Sequence, residues 1–171
     1  MERIKIGTFE VTNKEIIAID PCYKNRMMGT INKAKNGTYN VYAYVGKIND
    51  WGKRVVAMEA IHADDDYEAE TLFWEYSSDS PVDSGTFSFM DSEYYDYTRP
   101  GGFLDEMWYD KNVVGMLEQY HIVDNRASIC SAGFGDGLYE ISVVYDDDNE
   151  MCETICAVRV TFIDVTDCDE E

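Results

Sequence analysis

Four aspartates stand where β-like runs give way to turns: Asp20 in Ile19-Asp20-Pro21-Cys22-Tyr23, Asp83 in Val82-Asp83-Ser84-Gly85, Asp91 in Phe89-Met90-Asp91-Ser92-Glu93, and Asp136 in Gly135-Asp136-Gly137-Leu138-Tyr139. Carboxylates brought together from such positions could hold a divalent cation, or divide the work of general acid and base. Taken singly, each is a turn former whose oxygens accept from nearby backbone N–H groups. Asp20, Asp83, Asp91 and Asp136 are therefore read first as turn residues, with a metal-dependent enzyme as the alternative.

Other candidate chemistry is thinner. Asp146-Asp147-Asp148-Asn149-Glu150 lacks the central Gly and twelfth-place Glu of a calcium loop and reads as a solvated hairpin tip. Cys152 and Cys156 lie about 13 Å apart if their segment is β, too far for one zinc or a disulfide. His62 and His121 have no Ser or Cys context that builds a triad. The string Ser131-Ala132-Gly133-Phe134-Gly135-Asp136-Gly137 is followed by a strand pattern, whereas a dinucleotide loop opens a helix. It reads as a tight connection using positive φ angles. No catalytic residue and no cofactor are assigned.

The feature that stands out is charge mixed with aromatic rings. The chain carries 34 acids against 14 bases, net −20. Residues 1–58 hold ten bases and five acids, so the remaining four bases and 29 acids place the negative charge in residues 59–171. Such a field repels nucleic acid and anionic membrane and attracts basic surfaces. Two segments concentrate it. One is Asp64, Asp65, Asp66, Glu68 and Glu70; the other interleaves Asp91, Glu93, Asp96, Asp105, Glu106 and Asp110 with Tyr94, Tyr95, Tyr97, Trp108 and Tyr109. Rigid rings beside carboxylates suit an interface with a basic protein, and the same rings suit a core. Averaged over roughly 8,600 Å² of folded surface, the acids are sparser than the phosphates of DNA, so mimicry of a nucleic acid requires local clustering.

Short β-like runs position these residues: 4–11 and 15–19 as an opening pair joined by Thr12-Asn13-Lys14, then 37–45 with a hairpin partner at 54–61, then 70–76, 86–90, 127–131, 138–145 and 154–165. Phe103, Leu104, Met107, Trp108, Val113, Val114, Leu117 and Tyr120 recur at helical spacing, so one main helix is expected near 103–120. The expected fold is α+β and β-dominated, with about eight strands in a curled antiparallel sheet, sandwich or partial barrel. At 171 residues this is one domain, 1–166, with a frayed acidic tail at 167–171. Five cysteines without framework spacing, and no signal-like or spanning segment, point to a reducing, cytoplasmic setting.

Ile19-Asp20-Pro21-Cys22-Tyr23, Val82-Asp83-Ser84-Gly85 and Ser131-Ala132-Gly133-Phe134-Gly135-Asp136-Gly137-Leu138-Tyr139, in this order, resemble an uncharacterised family of bacterial and phage proteins with DPCY-like and SGxGDGxY-like turns. Ala132 is inserted relative to the usual adjacent Ser-Gly. The resemblance implies one compact domain and carries no established activity. Its mobile-element setting, joined to the acidity, leads to an expected function: an acidic inhibitor that blocks a basic nucleic-acid-binding enzyme, such as an anti-CRISPR acting on an RNA-guided nuclease. A housekeeping module whose acidity only keeps it soluble is the remaining reading.

Overall fold

A computed structural model describes residues 1–98, 103–146, 153–164 and 166, without the side chains of 68–70 and 103–105. The fold is β-dominated, with two open antiparallel sheets and few helices. The first sheet has six strands in the order β1 (Glu2–Val11), β4 (Gly37–Ile48), β5 (Gly52–His62), β11 (Ile155–Thr161), β10 (Gly137–Tyr145), β6 (Glu75–Val82). The second has five, in the order β3 (Thr30–Asn32), β2 (Glu15–Ile19), β7 (Thr86–Asp91), β9 (Ala127–Ser131), β8 (Tyr120–Val123).

Alternation explains which side of each strand is covered. Phe9, Tyr39, Val41, Met58, Val158 and Val160 of the first sheet meet Ile16, Ala18, Phe87, Phe89 and Cys130 of the second in one apolar core. The second sheet is apolar on its other face too, where Ile17, Ile19, Met90, Ala127 and Ile129 receive Tyr94, Tyr95, Trp108 and Val113 from the helical segments. Strands covered twice need continuous apolar runs, which is what Ile16-Ile17-Ala18-Ile19 supplies.

The expected hairpin of 37–45 with 54–61 is present as β4 and β5, whose register pairs Ala43 with Met58 and Val41 with Ala60. The opening pair is not a hairpin. β1 pairs with β4 and β2 with β7, so Thr12-Asn13-Lys14 turns a corner between the sheets. Lys14 takes φ 56° there and its N–H donates to Asn36 Oδ1 at 2.7 Å, while the Thr12 N–H goes to Asp91. Helical spacing overran as well. The α-helix α1 (Ser92–Thr98) and α2 (Phe103–Tyr109) are short, and α2 continues only as a π-helical turn at Asp110–Val114. The Gly115 N–H closes that turn on Asp110 O; Leu117 is 97% exposed and Tyr120 opens β8. The segment 70–76 is not one strand: a 3-10 turn at Asp66–Thr71 precedes β6. The tail 167–171 and the hairpin tip 147–150 fall outside the described residues.

The glycine string does make a tight connection, carrying the chain from β9 in one sheet to β10 in the other. Gly133 has φ 48° and Gly135 φ 109°. A Cβ on Gly133 would sit 2.8 Å from Phe162 Cβ, whereas one on Gly135 would meet nothing within 4 Å. Gly133→Ala is therefore expected to cost about 2 kcal/mol, from strain plus overpacking, and Gly135→Ala about 1 kcal/mol from strain alone. Urea denaturation of the two variants checks the order; equal losses would remove the packing argument.

Candidate functional site

Sheet order dictates a surface feature that no single motif announces. β5 lies third in the first sheet and β6 last, with β11 and β10 between them. The connection 63–74 must therefore cross the outer face of the sheet. It does so as a strap. Leu72 and Trp74 press onto a small apolar floor made by Tyr42, Ile61, Val144, Cys156 and Ala157.

Polar contacts clamp the strap at its start. Asp65 accepts from Lys35 Nζ at 3.1 Å, and Asp146 from the same ammonium at 3.0 Å. Burial alone would lower the Lys35 ammonium, but its bonds to Asp146 and Asp65 outweigh that and raise it. Asp66 accepts from Asn40 Nδ2 at 2.7 Å and Tyr42 Oη at 2.5 Å. Burial, then that bond to Asp66, pushes the Tyr42 phenol up to about 12. The Asp64 N–H donates to His62 Nδ1 at 3.2 Å, and His62 Nε2 meets Asn36 O at 2.9 Å. One imidazole thus bridges the strap to the β4 turn, a structural duty.

Beside the floor, two residues along β5 and β11, lies a charge cluster centred on a buried glutamate. Glu59, 1% exposed, accepts from Arg3 Nε and Nη2 at 3.0 and 2.9 Å, from Arg159 Nε and Nη2 at 3.1 and 2.7 Å, and from Tyr44 Oη at 2.8 Å. Arg3 stacks over the Tyr42 ring at 3.4 Å and Arg159 over the Trp74 ring at 4.0 Å. The strap's own tryptophan therefore caps an ion cluster built on β1, β5 and β11.

What the strap leaves outside is aromatic and acidic. Tyr67 is 82% exposed, Phe73 76% and Tyr76, on β6, 64%. A groove of about 390 Å³ runs between the strap and the end of β10, lined by Asp65, Tyr67, Phe73, Glu75, Tyr145 and Asp146. Asp65 and Asp146 already hold Lys35, so what the groove offers a further cation is the Glu75 carboxylate for its charge and the rings for its stem and face.

The segment 91–110 divides differently. Tyr94, Tyr95 and Trp108 are core residues, tied by hydrogen bonds from Trp108 Nε1 to Tyr94 Oη at 2.7 Å and from Tyr94 Oη to Asp124 at 2.5 Å. Tyr109 packs at the edge of the same core. Asp91 is fully buried, taking Thr12 N–H at 2.9 Å and an ion pair from Arg126. Asp91, Tyr94, Tyr95 and Trp108 are thus buried, and Tyr109 is half-buried. Tyr97, Glu93, Asp96, Glu106 and Asp110 do face solvent, with Asp96 paired to Arg26. The side chains of Glu68, Glu70 and Asp105 lie outside those described.

Nor do the four turn aspartates form one site. Asp20 is buried and accepts from Cys22 N at 2.8 Å, Asp83 N and Ser84 N at 2.7 Å each, and Ser84 Oγ at 2.6 Å. Asp83 accepts from Tyr23 Oη at 2.5 Å. Asp91 faces Ile16 across β2 and β7, while Ser88 faces Ile19, so Asp20 and Asp91 stand at opposite ends of the same strands. Among the described residues, no three His, Cys, Asp or Glu side chains group to hold a metal.

No family model, curated protein or solved structure matches the chain. The functional reading therefore rests on the strap, its groove and the chemistry exposed there. Tyr67, Phe73 and Tyr76 were not among the expected anchors. Their signal was nonetheless present in Tyr67-Glu68-Ala69-Glu70-Thr71-Leu72-Phe73-Trp74-Glu75-Tyr76, which interleaves acids and rings as 91–110 does.

Proposed function

We propose that the protein is an acidic binding protein that docks, through the strap and the adjoining β6, onto a basic protein surface. The observation that carries this reading is the set of three rings, Tyr67, Phe73 and Tyr76, left 64–82% exposed beside Asp64 and Glu75. Large rings held outside a core supply the anchors of an interface, and surrounding carboxylates steer a cationic partner. Lys35 neutralises part of this surface by pairing with Asp65 and Asp146, while Arg3, Arg126 and Arg159 are committed to the buried acids Glu59 and Asp91 elsewhere.

The basic channel of a nucleic-acid-binding enzyme, an RNA-guided nuclease among them, is the partner class that fits the charge and the resemblance to phage and bacterial proteins. The total surface is 9058 Å², or about one acid per 270 Å², sparser than DNA phosphate, so the reading needs this local face and not the average charge. A metal-dependent enzyme using all four aspartates gains no support, because Asp91 stands at the opposite end of the strands from Asp20.

The test is binding to such a nuclease at two salt concentrations, with and without its nucleic acid. Affinity is expected to fall at least about tenfold between 50 and 200 mM salt, to be competed by nucleic acid, and to fall at least about tenfold in the triple variant Tyr67→Ala, Phe73→Ala, Tyr76→Ala. Binding that ignores salt and is indifferent to nucleic acid would sink the proposal.

A further inference from the structure

The strap covers the outer face of the first sheet only as far as Trp74. Beyond it, where β5, β10 and β11 reach their other ends, a second groove of about 550 Å³ stays open. Ala57, Leu138, Thr161, Phe162 and Ile163 give it an apolar lining, and Arg159 enters it. Arg159 and Thr161 share one face of β11, and Thr161 pairs with Ala57 on one side and Glu140 on the other.

Arg159 is held ready rather than free to swing. Its Nε and Nη2 are fixed on Glu59 Oε2 and one ring face of Trp74 lies 4.0 Å from the guanidinium carbon. Among the described residues Nη1 has no hydrogen-bond partner, and the side chain is 30% exposed. Glu59 serves both guanidiniums, and Asp66, at 3.8 Å, approaches that of Arg3, so the cluster's charges balance and what Arg159 offers a ligand is its outer N–H edge. A guanidinium immobilised before a ligand arrives avoids the ordering cost of binding and presents its remaining N–H groups in a planar fork matched to a carboxylate.

We infer that this groove binds a small monoanion with an apolar body, its carboxylate on Arg159 and its chain or ring between Leu138, Phe162 and Ile163. Glu140 and Asp164 also line the groove and, with the net charge of −20, repel anions in proportion to their charge, so polyanions such as nucleotides are opposed more strongly than a monoanion. Pockets of this size and lining, with one convergent polar group, are the usual form of small-ligand sites. The inference is independent of the protein-docking reading, which concerns the other side of the strap.

The experiment titrates the full chain with 3-phenylpropanoate, and in parallel with its uncharged amide, following backbone amide shifts by NMR. The acid is expected to saturate with a Kd of about 0.1–1 mM, and the amide to bind at least about tenfold more weakly. Thr161→Trp, which fills the groove without touching Glu59, is expected to abolish both. Arg159→Lys, checked for folding by thermal melting, is expected to weaken the acid about fivefold or more and leave the amide unchanged. Equal affinity for acid and amide, shifts that map elsewhere, or full binding by the Thr161→Trp variant would overturn the assignment.

Discussion

Glu59→Ala is expected to lower the unfolding free energy by about 3 kcal/mol, seen as a lower urea midpoint at unchanged slope. The carboxylate is 1% exposed and serves Arg3, Arg159 and Tyr44 at once. Its removal leaves two guanidiniums facing each other over a cavity, and breaking a buried ion cluster on one side costs more than the intact cluster is worth. The figure is set at the low end because Arg3 and Arg159 are 35% and 30% exposed and water relieves part of their repulsion. A compensated variant separates the electrostatic account from simple loss of packing. With Glu59→Met, Arg3→Met and Arg159→Met together, the three charges of the cluster are removed and Asp66 keeps its bonds from Asn40 and Tyr42, so most of the lost stability is expected to return. A Glu59→Ala protein within 0.5 kcal/mol of wild type would show that the cluster is decoration.

Asp20→Ala is expected to cost about 3 kcal/mol or more, by the same measurement. Three backbone N–H groups and one hydroxyl converge on this fully buried carboxylate, and they come from two turns: Cys22 after β2, and Asp83 with Ser84 before β7. Bonds to an ionised acceptor contribute more than neutral ones, and all four donors lose their partner together. Asp20→Asn is expected to lose nearly as much, because its amide turns two donors toward donors. The metal-dependent reading makes the opposite forecast: neutralising a metal ligand would leave the melting temperature steady and remove a metal-induced rise. A stable Asp20→Asn protein that no longer responds to divalent cations would revive that reading and end the structural one.

Much of the β architecture was legible along the chain because period-two alternation and turn residues are local signals. Gly37–Ile48 against Gly52–His62, Thr86–Asp91, Ala127–Ser131 and Gly137–Tyr145 all follow from them. The failures are where two long-range alternatives share one local pattern. Thr12-Asn13-Lys14 looks the same whether it closes a hairpin or turns a corner between sheets; the choice is made by Asn36 and Asp91, far along the chain, which take its N–H groups. Leu117 and Tyr120 continue a helical spacing that Gly115 has already ended. Tyr94, Tyr95 and Trp108 have the composition of an interface and are core, because the second sheet needs a cover for its far face and these rings supply it.

The acidic character, the β class and the turn roles of Asp20 and Gly133 belong to the sequence itself, since net charge, alternation and local backbone bonding are written residue by residue. Which acids and rings share a surface does not. That was decided by strand order. Because β11 and β10 stand between β5 and β6, the connection 63–74 has to cross the sheet. The crossing buries Leu72 and Trp74 and leaves Tyr67 and Phe73 outside. It also caps Arg159 with a ring and leaves a second groove open beyond it.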